Sequence, residues 1–290
     1  MPLVPAANYL GKKPPLAFMK IFGIFGDPIE HSLSPAMQNA AFRALGIDAC
    51  YHAFRVSLEC LEDALIGAAA MGFGGLNLTI PLKEKALELD VLQPDELAEA
   101  IGAVNTVSFG RDRRIAGHNT DGEGALQALR DAEIGLRGSK VLLIGAGGAA
   151  RAIAYSLKHE GAEILVANRS AQKADELAAS VGGIGFGLCD LGQLVLQSDI
   201  IINATSVGMK NGDPSLFDGR LLRRGQVVFD IVYNRETELL KAARQAGAVA
   251  IDGVMMLVYQ GARSLEIWTG LKAPVHVMER AVRDGLKERR

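Results

Sequence analysis

The residues of this chain that can do chemistry sit in a few short stretches. At 32–35 the sequence Ser-Leu-Ser-Pro places two hydroxyls, Ser32 and Ser34, just ahead of a segment with helical spacing of apolar residues. Ser34 followed by Pro35 predicts a helix N-cap with proline at the first helical position. Ser32 has no such duty, and two hydroxyls ahead of a helix N-terminus can hold a polyhydroxylated or carboxylate ligand. At 74–86, GGLNLTIPLKEKA, a strand over Leu76–Ile80 would point Leu76, Leu78 and Ile80 one way and Asn77 and Thr79 the other. Lys83 follows Pro81 at the carboxyl end of that strand, the end at which α/β sheets bind ligands. A half-exposed edge strand with a solvated lysine explains Asn77 and Thr79 equally well. Asp121, in GHNTDG, stands where a strand gives way to a helix. It reads either as a helix cap or as a carboxylate at the lip of a cleft between domains.

A longer stretch, Lys140–Lys173, carries a nucleotide signature. Val141–Ile144 is a continuous apolar run, as in a strand buried on both faces of a parallel sheet. Gly145, Ala146, Gly147, Gly148 and Ala149 follow, a helical pattern begins near Ala149, and Ala150 takes the place of the third glycine of the usual fingerprint. Strand, glycine turn and helix together bring backbone N–H groups and the positive end of a helix against a pyrophosphate. An NAD site usually ends the next strand with an acid about twenty residues past the glycines, for the ribose hydroxyls. Here the strand Glu163–Ala167 runs into Asn168-Arg169-Ser170, with Lys173 a turn further on. A carboxylate would repel a 2′-phosphate; a guanidinium, an ammonium and a hydroxyl hold it. The pattern points to NADP rather than NAD, against a competing reading of Arg169 and Lys173 as solvated helix-start charges.

The elements that must position these groups alternate strand and helix throughout. Strands are expected at Ile21–Gly26, Ala49–Val56 and Leu76–Ile80, helices at 34–45 and Leu58–Met71, and a hairpin between AIGAVNT (100–106) and GHNTDG (117–122) turning at Arg111–Arg114, whose arginines read as solvated. After the helix Gly122–Asp131 and the 140–173 unit come a helix to Ser180 and strands at Gly183–Leu188, Ile200–Ala204, Val227–Ile231 and Ala248–Ile251. The loop Asn203–Met209 is where a nicotinamide-side loop should lie. Helices Val254–Trp268 and Val275–Lys287 close the chain, the final KERR reading as a solvated helix end suited to the negative end of the dipole. Tyr259, Gln260, Arg263 and Ser264 interrupt the first of these helices.

Bulk properties narrow the class. At 290 residues the chain suits two domains, and a hydrophobic content of 49% with 33 glycines is that of an α/β enzyme. A net charge of −2 gives no footprint for nucleic acid or an anionic membrane. Cys50, Cys60 and Cys189 lack metal spacing and read as buried thiols in a reducing compartment, and the five histidines form no cluster, so no metal is expected. The uncharged run Ala64–Leu82 is long enough to mimic a membrane span, but its glycines, Asn77, Thr79 and Pro81 fit a helix, turn and strand better. The first eighteen residues carry four prolines and no secretory pattern; with Met19 just ahead of the first strand they read as a flexible extension or a start-site artefact. A soluble, cytoplasmic protein is expected.

From Ile21 onward the chain resembles the shikimate dehydrogenases. The matching motifs, in order, are SLSP (32–35), NLTIPLK (77–83), GAVNT (102–106), NTDG (119–122), GAGGAARA (145–152), NRS (168–170) with Lys173, NATSVGM (203–209), DIVY (230–233) and MLVYQGARSLEIWTG (256–270). The resemblance implies an α/β fold of two domains: an N-terminal substrate domain completed by the C-terminal helices (1–120 and 254–290), and a Rossmann-like NADP domain (121–253). It implies reversible NADP-linked oxidation of shikimate at its 3-hydroxyl to 3-dehydroshikimate, in aromatic amino-acid biosynthesis. Ser32 and Ser34 would hold the substrate carboxylate. Asn77, Thr79, Asn105, Asp121, Tyr233 and Gln260 would surround the ring, with Lys83 and Asp121 as the catalytic pair. Thr205, Ser206, Val207, Met209, Ile231 and Gly253 join the glycine turn and the 168–173 cluster as cofactor contacts.

Two positions depart from the pattern. Gln38 stands where the family often has His, away from the chemistry, and Arg235 stands where it often has Pro, reshaping the loop after Tyr233. In the reducing direction the ammonium of Lys83 is the natural acid for the developing alkoxide. In the oxidising direction it must first lose a proton, which desolvation eases and Asp121 opposes, so which of the pair is the base stays open. A quinate/shikimate dehydrogenase using NAD or both cofactors, and a non-catalytic NADP-binding regulator, are the alternatives. Oligomeric state, monomer or homodimer, is left open.

Overall fold

The computed structural model describes residues 19–110 and 112–289. The leader 1–18 and Arg111, part of the expected hairpin turn, lie outside the described residues. The chain runs β1 (Lys20–Gly26), α1 (Ser34–Leu45), β2 (Ala49–Arg55), α2 (Leu61–Ala70), β3 (Gly75–Leu78), α3 (Leu82–Lys85), β4 (Leu92–Pro94), α4 (Glu96–Ile101), β5 (Thr106–Phe109) and β6 (Ile115–His118). After α5 (Asp121–Asp131) come β7 (Lys140–Ile144), α6 (Gly148–His159), β8 (Glu163–Asn168), α7 (Ala171–Val181), β9 (Ile184–Gly187), α8 (Leu191–Gln197), β10 (Ile200–Asn203), β11 (Val227–Asp230), α9 (Glu238–Gln245) and β12 (Val249–Ile251). Helices α10 (Val254–Thr269) and α11 (Val275–Glu288) follow.

Two six-stranded sheets result. The second is parallel throughout, in the order β12-β11-β10-β7-β8-β9. Its strand order reverses between β7 and β10, and the crevice beyond their carboxyl ends is where such sheets bind ligands. The continuous apolar run of β7 is needed because both faces are covered. Val141 and Leu143 pack with Leu129, Ile153 and Leu177, while Leu142 and Ile144 pack with Leu191, Leu194 and Ala243.

The first sheet is mixed, in the order β2-β1-β3-β5-β6-β4, with β3–β5 and β5–β6 antiparallel. One of its faces carries Phe25, Leu76 and Leu78 against α2. The other carries Phe22 and Ile24 against Met37 and Phe42 of α1, Val258 and Leu265 of α10, and Met278 and Val282 of α11. The C-terminal helices thus cover the first sheet. Helix α5 lies between the two units, with Ala125, Ala128 and Leu129 in the core of the second sheet.

Several expectations need correction. Ser34 is not the N-cap of α1: Leu33 holds that position without a side-chain bond, and the Ser34 N–H donates to Ser32 Oγ at 3.2 Å. Asp121 does not cap α5 either; it is the first helical residue and Thr120 precedes it. Strand β3 ends at Leu78, short of the expected Ile80, and Ile80, expected on the same face as the fully buried Leu78, is 55% exposed. β3 is also an interior strand, so the edge-strand reading of Asn77 fails. Cys60 and Cys189 are exposed and Cys50 half-buried, not buried as expected; Cys60 precedes α2 and Cys189 sits in a 3₁₀ turn, both surface connections. The run Ala64–Leu82 divides into α2, a turn, β3 and the start of α3, and no described helix is long and apolar enough to cross a membrane.

Thr237 ties the second sheet to its loops. Its hydroxyl caps α9 by accepting from Leu240 N at 3.2 Å and donates at 2.7 Å to Asp230 Oδ2. Burial pushes the Asp230 carboxyl up, against hydrogen bonds from Thr237, Val232 N and Asn203. Thr237→Ala removes the cap and one donor, and is expected to lower stability by about 2 kcal/mol. A denaturant titration reads this as a lower midpoint at unchanged slope.

Candidate active site

Lys83 and Asp121 come from separate elements, the short α3 and the start of α5, 38 residues apart in sequence. Lys83 Nζ lies 2.5 Å from Asp121 Oδ2, with side-chain exposures of 15% and 4%. The other carboxylate oxygen accepts from Asn105 Nδ2 at 2.7 Å, and the Asp121 N–H donates to Asn119 Oδ1 at 3.0 Å. Freed from capping, the carboxylate is held from one side by an amide and from the other by an ammonium. Asn105 also reaches Gln260 Oε1 at 3.4 Å, which brings α10 to the same place. Gln260, by pattern a surface residue, is buried beside Gly124.

Asn77 sits behind this pair. It accepts from the Tyr51 hydroxyl at 2.7 Å and donates to Asn105 O, Thr106 Oγ1 and Ser264 Oγ. Thr106 and Ser264 are 2.8 Å apart, and Asn105 Oδ1 accepts from Thr120 N and Thr106 Oγ1. Sequence reasoning assigned no role to Tyr51, Thr106, Thr120 or Ser264. Thr106 and Thr120 lay within noted motifs and Ser264 interrupted an apolar helix face, whereas nothing in the alternation of β2 marked Tyr51. Burial pushes the Tyr51 hydroxyl well up, so it stays a donor. Thr79 is half-buried, its methyl packed over Gly26.

Ser32 and Ser34 precede and open α1, and Tyr233, from the loop after β11 of the other unit, stands beside Ser32 and Leu33. Burial raises the Tyr233 hydroxyl, opposed by hydrogen bonds from the Leu33 backbone and the Ser32 hydroxyl and by the charge of Arg289. Gln38, one turn beyond Ser34 on α1, is fully buried and donates to Gly261 O at 2.8 Å. It clamps α1 to α10 rather than facing the chemistry. Arg235 donates to Lys210 O at 2.6 Å and Asn234 to Met209 O at 3.0 Å, so the loop after Tyr233 pins the loop after β10.

The second sheet offers a cradle of the right shape for a dinucleotide. Gly145 has φ +116°, and a Cβ there would stand 2.8 Å from the Ala204 carbonyl, at the switch point of the sheet. Gly147 is the N-cap of α6 and Gly148 opens it, leaving N–H groups at the helix start, with Ala149 after them. Gly253 is equally crowded, against the Ile231 carbonyl. Thr205 is fixed through Asn203 Oδ1, which accepts its N–H and hydroxyl at 3.0 and 2.7 Å, and Val207 N donates back to Thr205 Oγ1. Ser206 and Met209 are exposed on the same loop. Past β8, Arg169, Ser170 and Lys173 are exposed, and Asn168 Nδ2 donates to Ser170 O. Ser170 caps α7 through Lys173 N. Two cations, a hydroxyl and no acid at the strand end suit a 2′-phosphate, so this donor set fits NADP.

The two units touch where their functions meet. A Cβ on Gly148 would lie 2.8 Å from Lys83 Cβ, and Arg151 Nε of α6 faces Glu84 Oε2 of α3 at 3.8 Å. The amine and the glycine turn therefore share one wall of the cleft.

Known proteins share this organisation. Family models described as the shikimate dehydrogenase substrate binding domain, shikimate / quinate 5-dehydrogenase and the shikimate 5′-dehydrogenase C-terminal domain match residues 24–107, 127–254 and 253–283. The shikimate dehydrogenase (NADP(+)) of Methanothrix thermoacetophila is 63% identical over 268 residues, covering 92% of this chain and 98% of that protein. The crystal structure of the Aquifex aeolicus shikimate dehydrogenase superposes with TM-score 0.87 at 39% identity, covering 92% and 99% of the two chains. That of the Thermus thermophilus shikimate 5-dehydrogenase, solved with NADP(H) and shikimate, gives 0.84 at 38% identity, covering 92% and 100%.

Proposed function

The chain belongs to the shikimate dehydrogenase family, and on that footing we propose that it interconverts 3-dehydroshikimate and shikimate with NADPH and NADP⁺. The observation that carries the proposal is the part-buried Lys83–Asp121 pair set against the glycine turn. NADPH, when bound along that turn, supplies the hydride. Lys83 donates a hydrogen bond to the substrate oxygen and then its proton as negative charge builds there. Asp121 keeps the ammonium aimed, and Asn105 keeps Asp121 aimed. In the oxidising direction the same pair takes the hydroxyl proton.

Ser32 and Ser34 would receive the substrate carboxylate, with Tyr233, expected among the ring contacts, standing beside Ser32 instead; Asn77, Thr79, Asn105, Asp121 and Gln260 would surround the ring and its hydroxyls. Asn77 bonds Tyr51, Asn105 O, Thr106 and Ser264, and the Asn105 side chain bonds Thr106, Thr120, Asp121 and Gln260. That network fixes them before substrate arrives, which lowers the ordering cost of binding. Arg169, Ser170 and Lys173 would hold the 2′-phosphate, with the 205–209 loop, Ile231 and Gly253 around the nicotinamide. We place the domain division at 1–120 with 254–290 against 121–253. It is supported by α5 packing into the second core and α10 and α11 into the first. A soluble, cytoplasmic setting belongs to the same proposal.

The test is direct. Purified protein is mixed with shikimate and NADP⁺, then with quinate and NAD⁺, and reduced nicotinamide is followed by absorbance. Turnover with shikimate and NADP⁺ is expected to exceed the other combinations. No turnover with that pair would sink the proposal, and faster turnover with quinate and NAD⁺ would replace it with the quinate reading.

A further inference from the structure

The neutral groups placed at the carboxylate end of the cleft, Ser32, Ser34 and Tyr233, carry no positive charge of their own. A guanidinium stands directly behind them. Arg289 Nη1 donates to His31 O at 2.6 Å and its Nη2 approaches Ser32 O at 3.4 Å, partners 258 and 257 residues away in sequence. Within a helix end that is otherwise exposed, as expected, Arg289 therefore docks its guanidinium on the loop that carries both serines. The approach is prepared one turn earlier on the same face of the helix. A Cβ on Gly285 would stand 2.9 Å from Leu33 Cδ2, so α11 lies close against the loop and a side chain there would have to move the Leu33 methyl. Glycine within a helix normally costs up to about 1 kcal/mol relative to alanine, and here it leaves the Leu33 methyl undisturbed.

We infer that Arg289 is a positioning and charge-selecting residue of the substrate site. By engaging the His31 and Ser32 carbonyls it holds the loop that presents Ser32 towards Tyr233. Its charge, felt at the Tyr233 hydroxyl, makes this end of the cleft favour a carboxylate over an uncharged ring substituent. No atom of Arg289 needs to touch the substrate. The inference rests on the shikimate reading, and Arg289 lies outside the Lys83–Asp121 pair and the glycine turn.

The experiment compares the unaltered chain with Arg289→Gln and Arg289→Lys. Initial rates are taken with shikimate and with its uncharged methyl ester, at low and high salt, with NADP⁺ saturating. Arg289→Gln is expected to raise KM for shikimate about tenfold while changing kcat and KM for NADP⁺ less than twofold. KM for the ester should stay nearly constant, and the rise of shikimate KM with salt, present in the unaltered chain, should flatten. Arg289→Lys should recover the salt dependence and part of the affinity, since it keeps the charge but not the planar fork. Equal losses for shikimate and ester, or a fall in kcat at unchanged KM, would overturn the charge-selecting role. If the unaltered chain fails to oxidise shikimate at all, it is the proposed function that fails.

Discussion

Lys83→Ala is expected to cut turnover about a thousandfold while shifting KM for shikimate less than about threefold, the range in which a positioned acid or base contributes. The ammonium is 15% exposed and touches an almost buried carboxylate, so bulk water is a poor substitute donor at that position. Binding should survive because the proposed ring and carboxylate contacts come from other side chains. Asp121→Asn is expected to fall by a comparable factor. The double variant should be little worse than either single one, because groups acting as a unit are strongly non-additive. Single-turnover rates with saturating NADPH check all three. Turnover in Lys83→Ala within a few-fold of the unaltered chain would remove Lys83 from the mechanism.

The second large effect concerns the cofactor. The double variant Arg169→Ala with Lys173→Ala is expected to raise KM for NADP⁺ about a hundredfold and leave that for NAD⁺ nearly unchanged. Two charge-assisted contacts to one phosphate account for this; a hundredfold is about 2.7 kcal/mol. Both side chains are exposed, so the fold should not suffer. Equal losses with both cofactors would point to a disturbed turn rather than a lost phosphate contact.

How far the sequence could be read depended on how local each signal was. Val141–Ile144 announced a doubly covered strand because all four residues must be apolar when both faces of the sheet are buried. The glycines after it, and the basic residues after Glu163–Asn168, were legible because the phosphate chemistry they suit is carried by consecutive residues. Lys83 and Asp121 were visible as separate candidates only. Their contact depends on α3 and α5 being brought together by the β3–β5–β6 ladder, which no spacing within either segment encodes.

Ser34 misled for a physical reason. A serine ahead of a proline looks like a cap, but the Ser32 hydroxyl takes the Ser34 N–H and the helix begins one residue earlier. β4 and α4 went unread because three and six residues are too few for a period to emerge. Arg289 went unread because a basic helix end is ordinarily solvated; its partners are two carbonyls at the other end of the chain.

The approach of Gly148 to Lys83, with Arg151 facing Glu84 beside it, bears on how freely the two units could be recombined. A borrowed second half would have to present a bare backbone at 148 and a cation near 151, or it would push the Lys83 amine off its line. The cluster at 169–173 lies a strand away and carries no such obligation. If 169–173 holds the 2′-phosphate as proposed, cofactor preference can change by point substitution, whereas wholesale exchange of the half that carries it is penalised at the joint.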